Sequence, residues 1–328
     1  MKEHLSKISN IIEQTIKDID HGLIDMLSYQ LFDANTTVLS ESNIIDNHNE
    51  IACSLSIISL FNDEKNYSKV ITGLSALYLF KTGLTIHDEI GSGTPNSNGK
   101  DTLWWKWGPA QAINAGDCLY SLSKITIIQN ELLETNDTLT VLRNFDNLIL
   151  NIFKGKYLEL QNSEQYKIEF NTVKNIYDLK EIEMYKFVST LFNDNIQISN
   201  MLKKVGEINL YNKHLNAFDN LLTNNTNQNF TKLENEILNK KKILPIAYIF
   251  DEYKNSLDYV KKLGTIYMKR MLELDDVKFL NETFYSSEIH KNYNNYLTEQ
   301  KNELKNILNS LNDPNKKIEN VLEELSIL

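Results

Sequence analysis

Arginine is almost missing from this 328-residue chain. Arg143 and Arg270 are the two present, against 32 lysines in a Lys-plus-Arg total of 34. A guanidinium fork is the usual bidentate partner of phosphate, so anion recognition here falls to lysine. Two cysteines, Cys53 and Cys118, form neither a disulfide framework nor a CxxC metal pattern and fit a reducing, cytoplasmic compartment. Eleven glycines and four prolines leave long spans with neither, which favours helices over strands. No apolar run approaches the ~18 residues of a membrane span, and the acid-bearing amphipathic N-terminus does not read as a signal peptide. The net charge of −10, with no basic cluster beyond Lys240, Lys241 and Lys242, excludes a general nucleic-acid binder.

What is present is helical periodicity nearly throughout. Leu5, Ile8, Ile11, Ile12, Ile16 and Ile19 mark a first helix that stops at Gly22. Further helices are predicted over 23–32, 49–62, 66–87, 108–130, 137–160, 178–203, 205–222, 231–239, 243–256, 257–273, 276–282 and 285–310. Polar loops fall at 62–67, 91–101 and 224–229, and the stretch 312–317 precedes a short last helix. No repeat or composition shift divides the chain. The expectation is one all-α domain over 1–328, a bundle of roughly a dozen helices whose facing side chains build any ligand or metal site.

Residues 84–117 carry the most chemistry. Asp88 and Glu89 follow a strongly apolar run, where carboxylates near a helix C-terminus oppose its dipole unless a cation or lysine sits beside them. Mg²⁺, which prefers carboxylate, water and phosphate oxygens, suits such a place. A second acid, Asp219, stands just before the polar loop 224–229. Lys186 lies among apolar residues, and Lys241 and Lys242 precede Ile243, Leu244 and Pro245. Each lysine is read either as a solvated side chain or as a counter-charge to phosphate. Trp104, Trp105 and Trp107 are read as packing a helix N-terminus or an interface rather than touching a substrate.

Taken in order, these segments resemble the trans-isoprenyl diphosphate synthase (polyprenyl synthetase) family, most strongly over 45–255. His87, Asp88 and Glu89, with Ala112 to Asp117 after them, look like its first aspartate-rich motif and the AINAGD segment that follows. Gly155, Lys156 and Glu159 resemble Gly-Gln-x-x-Asp-Leu. Lys186 falls at its Lys-Thr pair, the segment from Leu215 to Thr223 at its second aspartate-rich motif, and the segment from Lys241 to Pro245 at its Lys-Lys-Thr-Leu-Pro. The resemblance implies the class I isoprenoid synthase fold, with helices around a deep apolar cavity and a dimer. It implies Mg²⁺ on Asp88, Glu89 and Asp219, and an allylic prenyl diphosphate held by Lys186, Lys241 and Lys242. Gly83, one turn below Asp88, leaves depth in the cavity wall with Leu84, while Leu79 and Phe80 set the floor. By that reading Gly83→Phe shortens the longest ligand bound.

The departures matter as much. The first motif lacks its distal acid, the second keeps only Asp219 of three, and the Arg-Arg pair aligns with Ser97 and Asn98. The early Gly-Lys-x-x-Arg-Pro falls near 46–52, which holds no Lys or Arg. Desolvating a second diphosphate without cationic partners is costly, so isopentenyl diphosphate is not expected as a substrate. Three readings follow. The first is an Mg²⁺-dependent enzyme on an allylic prenyl diphosphate: it resembles either a terpene cyclase or the competence-pheromone isoprenyl transferases, which use a small tryptophan-containing peptide as acceptor. The second is a non-catalytic subunit paired with an active synthase. The third is a prenyl-lipid binding protein.

Overall fold

The structure is a computed structural model, and it describes residues 2–32, 39–58, 64–97, 99–131, 133–163, 165, 168–193, 195–223, 230–286, 288–311 and 316–328. The expected loop 224–229, Asn98, residues 62–63 and residues 312–315 fall outside them, while 64–67 of the expected polar loop form the first turn of a helix. Seventeen α-helices and one π-helical turn are present among the described residues. In chain order they are α1 (Lys2–Ile16), α2 (His21–Leu31), α3 (Glu41–Asn47), α4 (Asn49–Ile58), α5 (Glu64–Ser92), α6 (Leu103–Trp107), α7 (Pro109–Ile128), α8 (Thr135–Ser163) and α9 (Phe170–Tyr177). The π turn (Asp178–Ile182) leads into α10 (Glu183–Thr190), α11 (Ile196–Thr223), α12 (Lys232–Leu238) and α13 (Leu244–Glu252). The chain closes with α14 (Leu257–Met268), α15 (Leu274–Tyr285), α16 (Glu288–Ser310) and α17 (Lys317–Glu324).

Helix α5 is buried on every side from Val70 to Phe80 and apolar over most of that span, as a helix buried all round must be. Its buried hydroxyls return to its own carbonyls: Ser75 to Ile71 and Thr82 to Tyr78. Around it α1, α4, α7, α8 and α10 bury one apolar core, and α9, α13, α14 and α15 with the second half of α11 bury another. Where α5 ends, Gly93 at φ +65° lets the Gly93 and Thr94 amides donate back to the Ile90 and Glu89 carbonyls. A two-residue antiparallel pair, Asn96–Ser97 with Lys100–Asp101, follows in the expected loop.

Predicted boundaries are corrected at several helices: the first ends at Ile16 rather than Gly22, and the one expected over 257–273 ends at Met268. Helix α5 does not stop at 87 but runs to Ser92, so Asp88 and Glu89 sit inside it. The helix expected over 178–203 ends at Thr190, with Asn193 at φ +56°, a left-handed conformation that asparagine tolerates, and α11 begins at Ile196. Gly206 then lies within α11, where a Cβ would meet the Tyr185 ring at 2.7 Å. The tryptophans pack locally: Trp104 Nε1 donates to the Thr94 carbonyl at 2.7 Å, and Trp107 meets Tyr29 edge-on at 5.1 Å. Trp105 is exposed. No helix among the described residues is long and apolar enough to cross a membrane.

One core residue sets an acid limit on stability. His214 is fully buried, accepts the Leu244 amide on Nδ1 at 3.3 Å, and packs edge-on to Tyr177. Burial pushes its pKa down to about 3. Its folded-state value lies below the unfolded ~6.5, so its contribution is complete above that pH and is lost as pH falls towards 3. At pH 5 the loss is about 2 kcal/mol. Urea denaturation at pH 7 and pH 5 checks this: His214→Gln is expected to remove about that much of the acid loss. An unchanged slope would place the acid sensitivity elsewhere.

Candidate active site

Successive side chains on a helix point about 100° apart, so Asp88 and Glu89 face different surroundings. Asp88 is gripped on both oxygens. Lys156 of α8 pairs with Oδ1, and Lys232 of α12 reaches Oδ2 at 3.1 Å. Burial works to raise its pKa, but Lys232 and Lys156 outweigh it and hold the carboxyl well below the usual range. Two ammonium groups thus occupy the place where a helix C-terminus and a carboxylate demand a cation. Glu89 is 3% exposed, and its Oε2 has no hydrogen-bond partner. Burial, with Asp88 adding, pushes its pKa up to about 7 against the pull of Lys232, Ser97 and Lys100.

Beyond Asp88 the charges continue. Lys180, on the π turn, reaches Glu159 of α8 at 2.6 Å. Lys241 lies 3.5 Å from the other oxygen of Glu159 and pairs with Glu236 of α12. Gly155 permits this approach, since a Cβ there would meet Lys180 Cγ at 2.7 Å and Leu179 Cβ at 3.0 Å. π turns concentrate at functional sites because they re-aim side chains within a helix. Lys180 is brought down to about 8, by burial first and then by Lys241. Lys241 is held well above its ordinary value, because Glu159 and Glu236 outweigh its burial. These four ammonium groups face Asp88, Glu159 and Glu236, with Glu89 also beside Lys232 and Glu181 also beside Lys180 and Lys241. Glu159 Oε1 is buried without a hydrogen bond.

The remaining predicted site residues lie apart from this cluster. Asp219, in the last turn of α11, accepts the Tyr285 hydroxyl at 2.9 and 2.8 Å and the Asn281 amide at 3.2 Å, both from α15. Lys186 is half-exposed on α10 and pairs with Glu183 one turn back. Lys242 turns away from its neighbour Lys241 and donates to the Asn162 and Ser163 carbonyls at 3.0 and 2.8 Å, closing the C-terminus of α8. Asp88 and Lys241 thus join one network. Lys156, Lys180, Lys232 and Glu236 complete it and were not singled out from the sequence as site residues.

The Mg²⁺ that the family resemblance implies can be tested against this donor set. Among the described residues no three His, Cys, Asp or Glu side chains gather as a metal-ligand group. Asp88 carries two ammonium groups, Glu89 is buried on the same turn, and Asp219 is held by α15. At an effective dielectric near 20, a divalent ion ~4 Å from one ammonium is repelled by about 8 kcal/mol. The described residues do not fit a carboxylate-held Mg²⁺ site.

The stretch 46–52 forms the end of α3 and the start of α4. It turns a carboxylate inward: Glu50, 3% exposed, accepts Lys81 Nζ at 2.8 and 3.0 Å. Lys81 lies seven residues before Asp88, two helical turns on the same face of α5. An anion placed there meets Glu50, where the family resemblance calls for a Lys and an Arg.

On the side of α5 towards α7 and α8, a cavity of about 290 Å³ is lined by Phe80, Gly83, Leu84, His87, Gly116, Asp117, Tyr120 and Phe153. His87 Nε2 lies 3.5 Å from Asp117 Oδ1, and a Cβ on Gly116 would strike the His87 ring. Leu79 is fully buried and outside this lining. Nine residues before Asp88, it is half a turn off, on the opposite side of α5.

No protein-family model and no curated protein matches the chain in sequence. Solved structures match it in shape. The geranylgeranyl pyrophosphate synthetase from Pyrococcus horikoshii Ot3 aligns with a TM-score of 0.74 at 16% identity, over 99% of this chain and 96% of that one. The octaprenyl pyrophosphate synthase from Helicobacter pylori aligns over 100% of both chains, with a TM-score of 0.71 at 15% identity. A polyprenyl synthase from Caulobacter crescentus CB15, complexed with calcium and isoprenyl diphosphate, gives 0.66 at 15% identity over 98% and 96%. The chain has the all-α fold of these prenyl synthases along its whole length.

Proposed function

We propose that the chain binds an allylic prenyl diphosphate at the mouth beside Asp88, acts as a prenyltransferase-like protein, and does not use isopentenyl diphosphate. The observation that carries this reading is the convergence of Lys156, Lys180, Lys232 and Lys241 at the end of the apolar helix α5. Three helical elements and the connection after α12 deliver these cations to one network, which a solvated surface has no need of. Ammonium groups fixed in a partly dry site stabilise a departing diphosphate far better than water does. The inward carboxylate of Glu50 supports the absence of a second diphosphate. Calorimetry with geranyl and farnesyl diphosphate tests the reading: saturable binding that weakens with salt is expected, while no heat with either would end it. Added isopentenyl diphosphate is expected to yield no elongated product.

A second reading, a non-catalytic subunit, is favoured by Asp219, whose carboxylate is already satisfied by Tyr285 and Asn281. It is supported by the apolar stripe Leu150, Phe153, Tyr157 and Leu160, exposed along one face of α8 and suited to a partner, whether a second copy or a synthase subunit. Turnover of the allylic diphosphate by the purified chain alone separates the two.

A further inference from the structure

The geometry points to a diphosphate site in which lysines stand where metal ions would, so that binding needs no divalent cation. The inference rests on the proposed function and specifies its chemistry. Asp88 is itself the evidence for an anion seat: Lys156 and Lys232 hold one carboxylate oxygen each, as two ammonium groups grip two oxygens of a phosphate. Lys180 and Lys241 extend the seat, but they share Glu159, one of whose buried oxygens lacks a hydrogen bond. Asp88 is then a resident counter-ion that keeps the lysines in place and yields them when the ligand arrives. A metal ion entering first would have to displace both lysines from Asp88 and sit beside them.

The two designs predict opposite signs for one substitution. If Asp88 ligates a metal, Asp88→Asn abolishes binding. If Asp88 competes for the lysines, Asp88→Asn frees them and tightens binding. Titration calorimetry with farnesyl diphosphate and with inorganic pyrophosphate, in excess EDTA and in Mg²⁺, tests this on the full chain. The expected results are affinities for farnesyl diphosphate equal within about twofold in the two buffers, and Asp88→Asn several-fold tighter. Lys156→Gln and Lys232→Gln are each expected to weaken binding at least tenfold in EDTA, with circular dichroism confirming that they fold. Binding only in Mg²⁺, or a tenfold loss in Asp88→Asn, overturns the metal-free site and leaves the proposed function standing. No binding in either buffer overturns the proposed function itself. Wild-type affinity in both lysine variants would show that the ligand sits elsewhere.

Discussion

Lys81→Met is expected to lower the unfolding free energy by about 3–5 kcal/mol, the cost of leaving a buried charge without its partner. Glu50 is the charge concerned. Lys81 donates to both its oxygens and to the Asn47 carbonyl, while His48 Nδ1, at 3.8 Å, is too far to hydrogen-bond. Burial would raise the Glu50 pKa, but the Lys81 ammonium outweighs it and holds it at about 2, against an ordinary 4.5. A folded-state pKa below the unfolded one contributes stability above about pH 4.5, which is lost as pH falls through 2. The difference corresponds to about 3 kcal/mol. In Lys81→Met burial is opposed only by the more distant His48, so the Glu50 pKa rises and acid should cost the variant less stability than it costs wild type. Denaturant titrations at pH 7 and pH 4 check both halves. Adding Glu50→Gln to Lys81→Met is expected to recover most of the loss, because removing both charges leaves no uncompensated ion. A loss below 1 kcal/mol in the single variant would mean the pair is solvated and contributes little.

The fold was legible because an all-α chain with few breakers writes its helices into apolar spacing. The misplaced boundaries have local settings: Asn193 takes a left-handed conformation after α10, and Asp88, inside α5, has its charge met by Lys156 and Lys232. Of the network, Asp88, Glu159 and Lys241 were legible as motif residues. Lys156 was visible only as a departure, a lysine where the family has glutamine. Lys180 was not legible, since the π turn that aims it depends on the packing of α8 against it through Gly155. Lys242 was read with Lys241, yet adjacent residues in an extended turn face opposite ways, and the carbonyls at the end of α8 claim it. Sequence adjacency therefore grouped Lys242 with Lys241 and gave no sign of Lys180 and Lys232, which tertiary structure brings into the Asp88 network.

Gly83→Phe, which the family resemblance makes a chain-length test, is expected to act on packing before it acts on any ligand. A Cβ at Gly83 would lie 2.9 Å from the Gly116 carbonyl oxygen and 3.3 Å from Leu119 Cβ. The first is backbone of α7 and cannot rotate aside. Gly83 borders the 290 Å³ cavity, but the direction of a side chain built on it leads into α7. Helix propensity alone favours alanine over glycine by about 1 kcal/mol, so any net loss in Gly83→Ala measures the clash. Overpacking costs typically 1–3 kcal/mol, and more for a ring that the backbone must move to admit. Gly83→Ala is expected to come out near neutral or about 1 kcal/mol less stable, and Gly83→Phe to lose about 3 kcal/mol or more in urea denaturation. Phe80 packs with Phe145 and Phe153 at ring separations of 5.8 and 6.4 Å, so a ring at 83 reaches the cavity only after its Cβ has displaced α7. A Gly83→Phe protein as stable as wild type, with a shorter preferred prenyl chain, would show instead that this position opens onto the ligand. Gly116→Ala is the matched control on α7: its Cβ meets the ring of His87, a side chain about one-third exposed that can swing away, so its loss should be the smaller of the two.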